Sequence, residues 1–272
     1  MAESFGKRLS AAVTERGPLC VGIDPHGALL HDWGLADDAA GLERFALSVV
    51  EALAGEVAVV KPQSAFFERH GSAGVAVLEK TIAAAKAAGL LVLLDVKRGD
   101  IGSTASAYAD AYLDPSSPLG SDAVTVSPFL GIGSLTPFLE TAERHGGGVF
   151  VLALTSNPEG PEVQHARTSD GTVAGAVLTS IRARNAGAEP LGSIGAVVGA
   201  TVGDISEDIG INGPLLVPGF GAQGGTVADL RRLFDGVDAL ALPATSRAVL
   251  VAGPDVSALR VAARQVSDSL RG

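Results

Sequence analysis

Cysteine is almost missing from the 272 residues: Cys20 is the single one. A disulfide framework needs pairs of thiols, and a cysteine-ligated zinc or iron–sulfur centre needs several, so both are excluded. Cys20 stands inside an apolar run and reads as a small buried hydrophobe, not a reactive thiol. Aromatic residues make up only 4% of the chain, so its core has to be aliphatic. No apolar stretch reaches the roughly 18 residues of a membrane span. The opening residues, MAESFGKRLSAAVTERG, lack the basic start and continuous apolar segment of a secretion signal. Their amphipathic spacing predicts a short helix at about 2–16. Positive charge is in deficit, with 20 Lys and Arg against 30 Asp and Glu and a net charge of −10. A surface of that sign disfavours nucleic acid and anionic membrane as partners, and it requires a local cationic pocket for any anionic ligand. The expectation is a cytoplasmic protein that binds neither nucleic acid nor membrane.

Apolar residues are plentiful, at 47%. They fall into eight short runs: 19–24, 57–62, 90–97, 122–128, 148–156, 194–201, 214–221 and 238–246. The runs are rich in Val, Leu and Ile without clean polar alternation, as strands buried on both faces are. Ala-rich segments with helical spacing lie between them. Leu42, Phe45, Val49 and Leu53 form one stripe, 76–89 ends on the helix stop Gly89, and 256–270 repeats Leu259, Ala263, Val266 and Leu270. Eight strand–helix units at a spacing near 30 residues predict an α/β protein, a closed (β/α)8 barrel in a single domain covering 1–272. An open doubly wound sheet is the structural alternative. The longest polar gap, 157–171, is either a mobile lid or a surface insertion.

Active sites of such barrels lie at the C-terminal ends of the strands. The polar residues that close the runs are therefore the candidates: Asp24, Lys61, Asp95 with Lys97 and Asp100, Thr155–Ser156–Asn157, and Arg247. Asp95 and Lys97 are two apart in what reads as extended chain, so both would face the barrel interior. With Lys61 and Asp100 they make an alternating array in which each charge keeps its neighbours ionised. A protonated lysine beside a reacting carbon is a general acid, and a fixed carboxylate beside it repels a substrate carboxylate. PGFGAQGG after the seventh run holds Gly219, Gly221 and Gly224 in a G-x-G-x-x-G spacing. There it reads as a phosphate cradle of backbone N–H groups, with Arg247 as the fork of donors. Asp24 either accepts from a sugar hydroxyl or makes an Asx turn before Pro25. The five histidines show no ligand spacing, so no metal is expected; Trp33 carries no readable signal, and a G-x-S-x-G elbow is absent.

Together these residues resemble orotidine 5′-phosphate decarboxylase, in the longer bacterial form found in mycobacteria and their relatives. The resemblance rests on D-x-K-x-x-D at Asp95, Lys97 and Asp100, with VGIDP, VVKPQ, VFVLALTSNPEG, PGFGAQGG and PATSR in support. It implies cofactor-free and metal-free decarboxylation of orotidine 5′-phosphate to UMP in pyrimidine biosynthesis. Lys97 would protonate C6, Asp95 would repel the leaving carboxylate, and Lys61 would bridge the charged network and the ribose. Asp24 would bind the ribose hydroxyls and Ser156 the pyrimidine edge. Pro218, Gly221, Gln223 and Arg247 would form the phosphate end. The resemblance also implies a homodimer in which Asp100, Ile101 and Thr104 enter the site from a second subunit. Two other readings are a magnesium-dependent sugar-phosphate decarboxylase or aldolase of related barrel type, and a non-catalytic phosphometabolite-binding barrel. The former would want an acidic metal ligand where this chain has Lys61.

Overall fold

A computed structural model describes residues 3–271 apart from 170, 204, 222–223, 235 and 238–240. Each apolar run contributes one strand. They are β1 (Cys20–Ile23), β2 (Val59–Pro62), β3 (Leu91–Arg98), β4 (Ala123–Val126), β5 (Gly148–Leu154), β8 (Ile194–Val198), β9 (Leu215–Pro218) and β10 (Ala241–Thr245), while β6 (Arg167–Thr168) and β7 (Gly171–Thr172) form a separate antiparallel pair. β1 is hydrogen-bonded in parallel to both β2 and β10, which closes the barrel and removes the open-sheet alternative. Closure explains the missing polar alternation: one face of every strand fills the barrel and the other packs under helices.

The helices are α1 (Phe5–Arg16), α2 (Gly27–Asp32), α3 (Ala39–Leu53), α4 (Ser64–Glu68), α5 (Gly71–Ala87), α6 (Gly102–Leu113), α7 (Thr136–His145), α8 (Gly160–Gln164), α9 (Val173–Arg184), α10 (Val227–Leu233), α11 (Arg247–Leu250) and α12 (Val256–Arg271). Local chemistry sets several ends. The Asp38 carboxylate accepts the Gly41 N–H at the start of α3, a reciprocal Thr226–Asp229 capping box starts α10, and left-handed Gly146 stops α7. α1 starts at Phe5, and Phe5, Leu9 and Ala12 join the barrel-filling side chains, with Phe5 edge-on to Phe150 at 5.9 Å. It plugs the bottom of the barrel, so ligand access is left to the opposite end.

The gap at 157–171 folds into α8 and the β6–β7 hairpin. Trp33, which had no legible role, is 6% exposed; its indole N–H donates to the Leu250 carbonyl at 3.0 Å and its ring packs at a tilt against Phe45. It thereby ties α2 and α3 to the end of α11, the helix that carries Arg247. Among the described residues no helix is long and apolar enough to cross a membrane.

Candidate active site

Inward side chains recur at every second residue of a barrel strand. The barrel-filling residues Cys20, Val59, Leu93 and Ala123 are each followed, two positions on, by Gly22, Lys61, Asp95 and Thr125. The apolar filling therefore stops short of the C-terminal mouth, and an ammonium, a carboxylate and a hydroxyl take over. Lys61 and Asp95 are 8% and 5% exposed, with Nζ 2.9 Å from Oδ2. The Lys97 ammonium donates to Asp95 Oδ1 at 2.6 Å, and the Thr125 hydroxyl donates to the same oxygen at 2.8 Å. Burial opposes the charge on Asp95, but Lys61 and Lys97 outweigh it and hold the carboxyl well below the usual carboxylate range. Burial likewise opposes the Lys61 ammonium, and the charges of Asp95 and Asp24 outweigh it and keep the amine protonated far into the alkaline range. Cys20 lies beneath them, fully buried, its thiol pushed up to about 12 by that burial despite the nearby Lys61 charge. It is inert, as expected.

Asp95 and Lys97 meet, but not by simple strand alternation. β3 pairs with β4 at Leu94↔Val124 and next at Arg98↔Val126, so β3 bulges between these points. Lys97 sits in the bulge with φ +47°, a left-handed conformation that costs a non-glycine residue about 1–3 kcal/mol. The bulge turns the Lys97 side chain back onto Asp95 and leaves it nearly half exposed to the mouth, whereas Asp95 stays buried.

Two adjoining clefts, of about 220 and 680 Å³, open over this cluster and share Asp24, Gln63 and Ser246. The inner one is lined by Lys61, Asp95, Pro218 and Thr245, the outer one by Lys97, Phe66 and Arg247. Asp24 Oδ1 and Thr245 Oγ1 are buried without a hydrogen-bond partner among the described residues. Buried polar atoms are normally hydrogen-bonded, so these two oxygens are able to accept from a ligand in the cleft. Arg247, the first residue of α11, is exposed and pairs with no carboxylate among the described residues. It supplies the local cation that the acidic surface demands.

The chain from 17 to 262 matches the model of the "Orotidine 5′-phosphate decarboxylase / HUMPS family". The chain belongs to this family. A Nocardioides orotidine 5′-phosphate decarboxylase is 67% identical, over 98% of this chain and 98% of its own length. Its Streptomyces coelicolor counterpart is 62% identical, over 99% and 98%. A Streptomyces avermitilis crystal structure superposes with a TM-score of 0.97 at 63% identity, covering 99% of this chain and 95% of that one. The Leishmania donovani OMP decarboxylase follows at 0.75 and 30%, covering 98% and 97%.

As a member of the orotidine 5′-phosphate decarboxylase family, the chain brings Asp24, Lys61, Asp95, Lys97, Pro218 and Arg247 to one mouth. Asp100 does not join the array within its own chain: its carboxylate accepts the Ile101 N–H at 2.8 Å and pairs with no cation among the described residues. The carboxylate that acts on Lys61 alongside Asp95 is Asp24. Ile101 and Thr104 are exposed and line neither cleft. In the glycine-rich loop the N–H groups of Gly221, Gly224 and Gly225 bond to carbonyls of the loop itself, at 2.8, 2.9 and 3.1 Å. The backbone cradle expected there is thus not formed by these three amides, which fold the turn instead; Gln223 lies outside the described residues. Of the polar triplet after β5, Thr155 and Asn157 bond to each other and to Gln164 and Glu159. Ser156 keeps a hydroxyl with no partner among the described residues, packed where a Cβ on Gly199 would come within 2.2 Å. Sequence reasoning missed Thr125, Gln63 and Thr245. Thr125 was findable: it is the polar residue at the inward position of DAVTVSP, two on from Ala123.

Proposed function

We propose that this chain decarboxylates orotidine 5′-phosphate to UMP in pyrimidine biosynthesis, without metal or organic cofactor, and does so in the cytoplasm. The observation that carries the reading is the Lys61–Asp95–Lys97 cluster, ionised and buried at one end and open to a cleft that also holds Arg247. Arg247 binds the phosphate dianion near Pro218; Gly221, whose amide folds the turn, contributes no N–H to it, and a role for Gln223 rests on the family resemblance alone. The orphan oxygen of Asp24 accepts from a ribose hydroxyl, Lys61 bridges ribose and Asp95, and the free hydroxyl of Ser156 faces the pyrimidine edge. The substrate carboxylate comes to rest against Asp95, whose charge cannot be relieved by protonation. The bond from C6 to the carboxylate breaks with its electron pair left on C6, CO2 departs, and the Lys97 ammonium gives its proton to that carbon. Pre-formed charge placed where charge develops is the main source of rate in such a site.

The active unit is a homodimer, with Asp100, Ile101 and Thr104 of each chain completing the other's site. Ile101, Phe129 and Leu130 support this: they are 62%, 75% and 53% exposed, at the ends of the adjacent strands β3 and β4. Apolar surface of that kind at a barrel mouth calls for a covering partner.

The deciding experiment is CO2 release from orotidine 5′-phosphate, before and after exhaustive EDTA treatment. Turnover indifferent to chelation is expected, and Lys97→Ala is expected to abolish it while still binding UMP. Turnover lost to EDTA would favour the magnesium-dependent reading. No CO2 release by the parent protein, with UMP bound, would leave a phosphometabolite-binding barrel.

A further inference from the structure

One short side chain fastens the β3 bulge. Between its paired positions β3 advances from Leu94 to Arg98, while β4 advances only from Val124 to Val126. Asp95, Val96 and Lys97 therefore share Thr125 as their single opposite residue. N–H groups inside a bulge lose their ladder partners, and Thr125 replaces them. Its Oγ1 accepts the Val96 N–H at 3.1 Å and the Lys97 N–H at 3.0 Å, and donates its own proton to Asp95 Oδ1 at 2.8 Å. A hydroxyl offers one proton and two lone pairs, so its whole capacity is engaged on three successive residues of β3. The side chain is 1% exposed, out of reach of solvent. Arg98 Nη1 holds the Val96 carbonyl at 3.2 Å, so that residue is gripped at both ends.

We infer that Thr125 is a positioning residue for the decarboxylation: it locks Asp95 and the left-handed Lys97 into one mutual geometry, so that Asp95 cannot turn away from the substrate carboxylate. The inference rests on the decarboxylase reading. Asp95 is held at Oδ2 by Lys61 and at Oδ1 by Lys97 and Thr125. Both lysines are long and have many rotamers, whereas a hydroxyl on the Cβ of a buried strand residue has a single side-chain torsion between it and the backbone. The threonine is thus the member that fixes the carboxylate's rotation and the backbone beneath the proton donor.

The test compares the parent with Thr125→Val, which keeps the shape without the hydroxyl, and Thr125→Ser, which keeps the hydroxyl. Loosening the pair by about an ångström in Thr125→Val is expected to lower kcat roughly 10²-fold. KM for orotidine 5′-phosphate should stay level or fall, because ground-state repulsion is relieved. Affinity for UMP, which lacks the carboxylate, should not change. Thr125→Ser should keep kcat within a few-fold. Parental kcat in Thr125→Val overturns the inference, and so does a Thr125→Ser that fails as far as Thr125→Val. Hydrogen exchange on the unaltered protein decides the matter if Thr125→Val does not fold. The Val96 and Lys97 amides should be protected like core strand amides, and exchange at the rate of exposed amides overturns the inference. A parent protein that releases no CO2 refutes the decarboxylase reading instead, and the exchange rates still report on the anchor.

Discussion

Arg247 and the Lys61–Asp95 pair meet charge in opposite ways. Arg247 waits exposed at the head of α11 with no carboxylate of the described chain to satisfy it. A dianion in the outer cleft would take its donors as charge-assisted hydrogen bonds. Arg247→Ala is expected to weaken UMP binding by about 1.5–3 kcal/mol, the range for hydrogen bonds to charged groups. It should lower turnover too, because remote binding energy organises the reacting end. Calorimetric titration checks it, and equal affinity of the parent for uridine and UMP would sink it. Lys61 and Asp95 are already matched. The Asp95 carboxyl is held low, so the stability it contributes is complete above the ordinary carboxylate value of about 4 and is lost only as pH falls through its depressed folded value. The Lys61 amine is held high, so its contribution is complete below the ordinary value of about 10.4 and is lost only as pH rises through its raised folded value. Between about pH 5 and 9 neither group changes state. Urea midpoints over that window should therefore show no pH limb that disappears in Asp95→Asn, and such a limb would contradict the charge assignment.

At the scale of elements, the seam between α2 and α11 positions Arg247, the proposed phosphate ligand. The Trp33 ring crosses it so closely that a Cβ on Gly253 would lie 2.0 Å from the indole. Gly253→Ala has to displace that ring or the turn after α11, and overpacking of this kind costs about 1–3 kcal/mol. A drop of that size in the urea unfolding free energy is expected, followed by the fluorescence of Trp33, the only tryptophan of the chain. Weaker UMP binding should accompany it as α11 shifts. Unchanged stability would mean that the seam gives way freely and does not set the position of Arg247. The segment after β5 shows the same dependence on packing. Its polar sequence left lid and insertion equally open. The clasp of Gln164 on Thr155, by 2.9 and 2.7 Å hydrogen bonds, holds the folded segment to the strand end beside Ser156.

At the scale of the whole molecule, Asp100 meets no lysine among the described residues, and the proposed dimer assigns it to the partner's site. Complementation of variants is the consequence. Lys97→Ala and Asp100→Ala proteins, each nearly inactive, should regain activity when unfolded together and refolded. Each hybrid dimer has one site with both defects and one with neither. Random twofold pairing makes about half the dimers hybrid and roughly a quarter of all sites intact. Activity that stays at parental-variant level despite confirmed hybrids would show that Asp100 acts within its own chain.

The barrel and most of its charged mouth were legible in the sequence because both follow from periodicity. Buried strands separated by amphipathic helices can bury their two apolar faces only by closing, and the polar residue ending each run, as with Lys61, Asp95 and Arg247, then falls at the same rim. Three features depended on contacts far apart in the chain. Whether Asp95 and Lys97 meet by alternation or by a bulge is settled by the register between β3 and β4, which local pattern does not encode. Whether the glycine loop offers its amides to a ligand or to itself depends on how the turn closes after β9. Which carboxylate joins Asp95 on Lys61 within one chain depends on how the barrel closes: Asp100 is three residues from Lys97 in sequence yet pairs with no cation among the described residues, while Asp24, remote in sequence, acts on Lys61 from the end of the neighbouring strand.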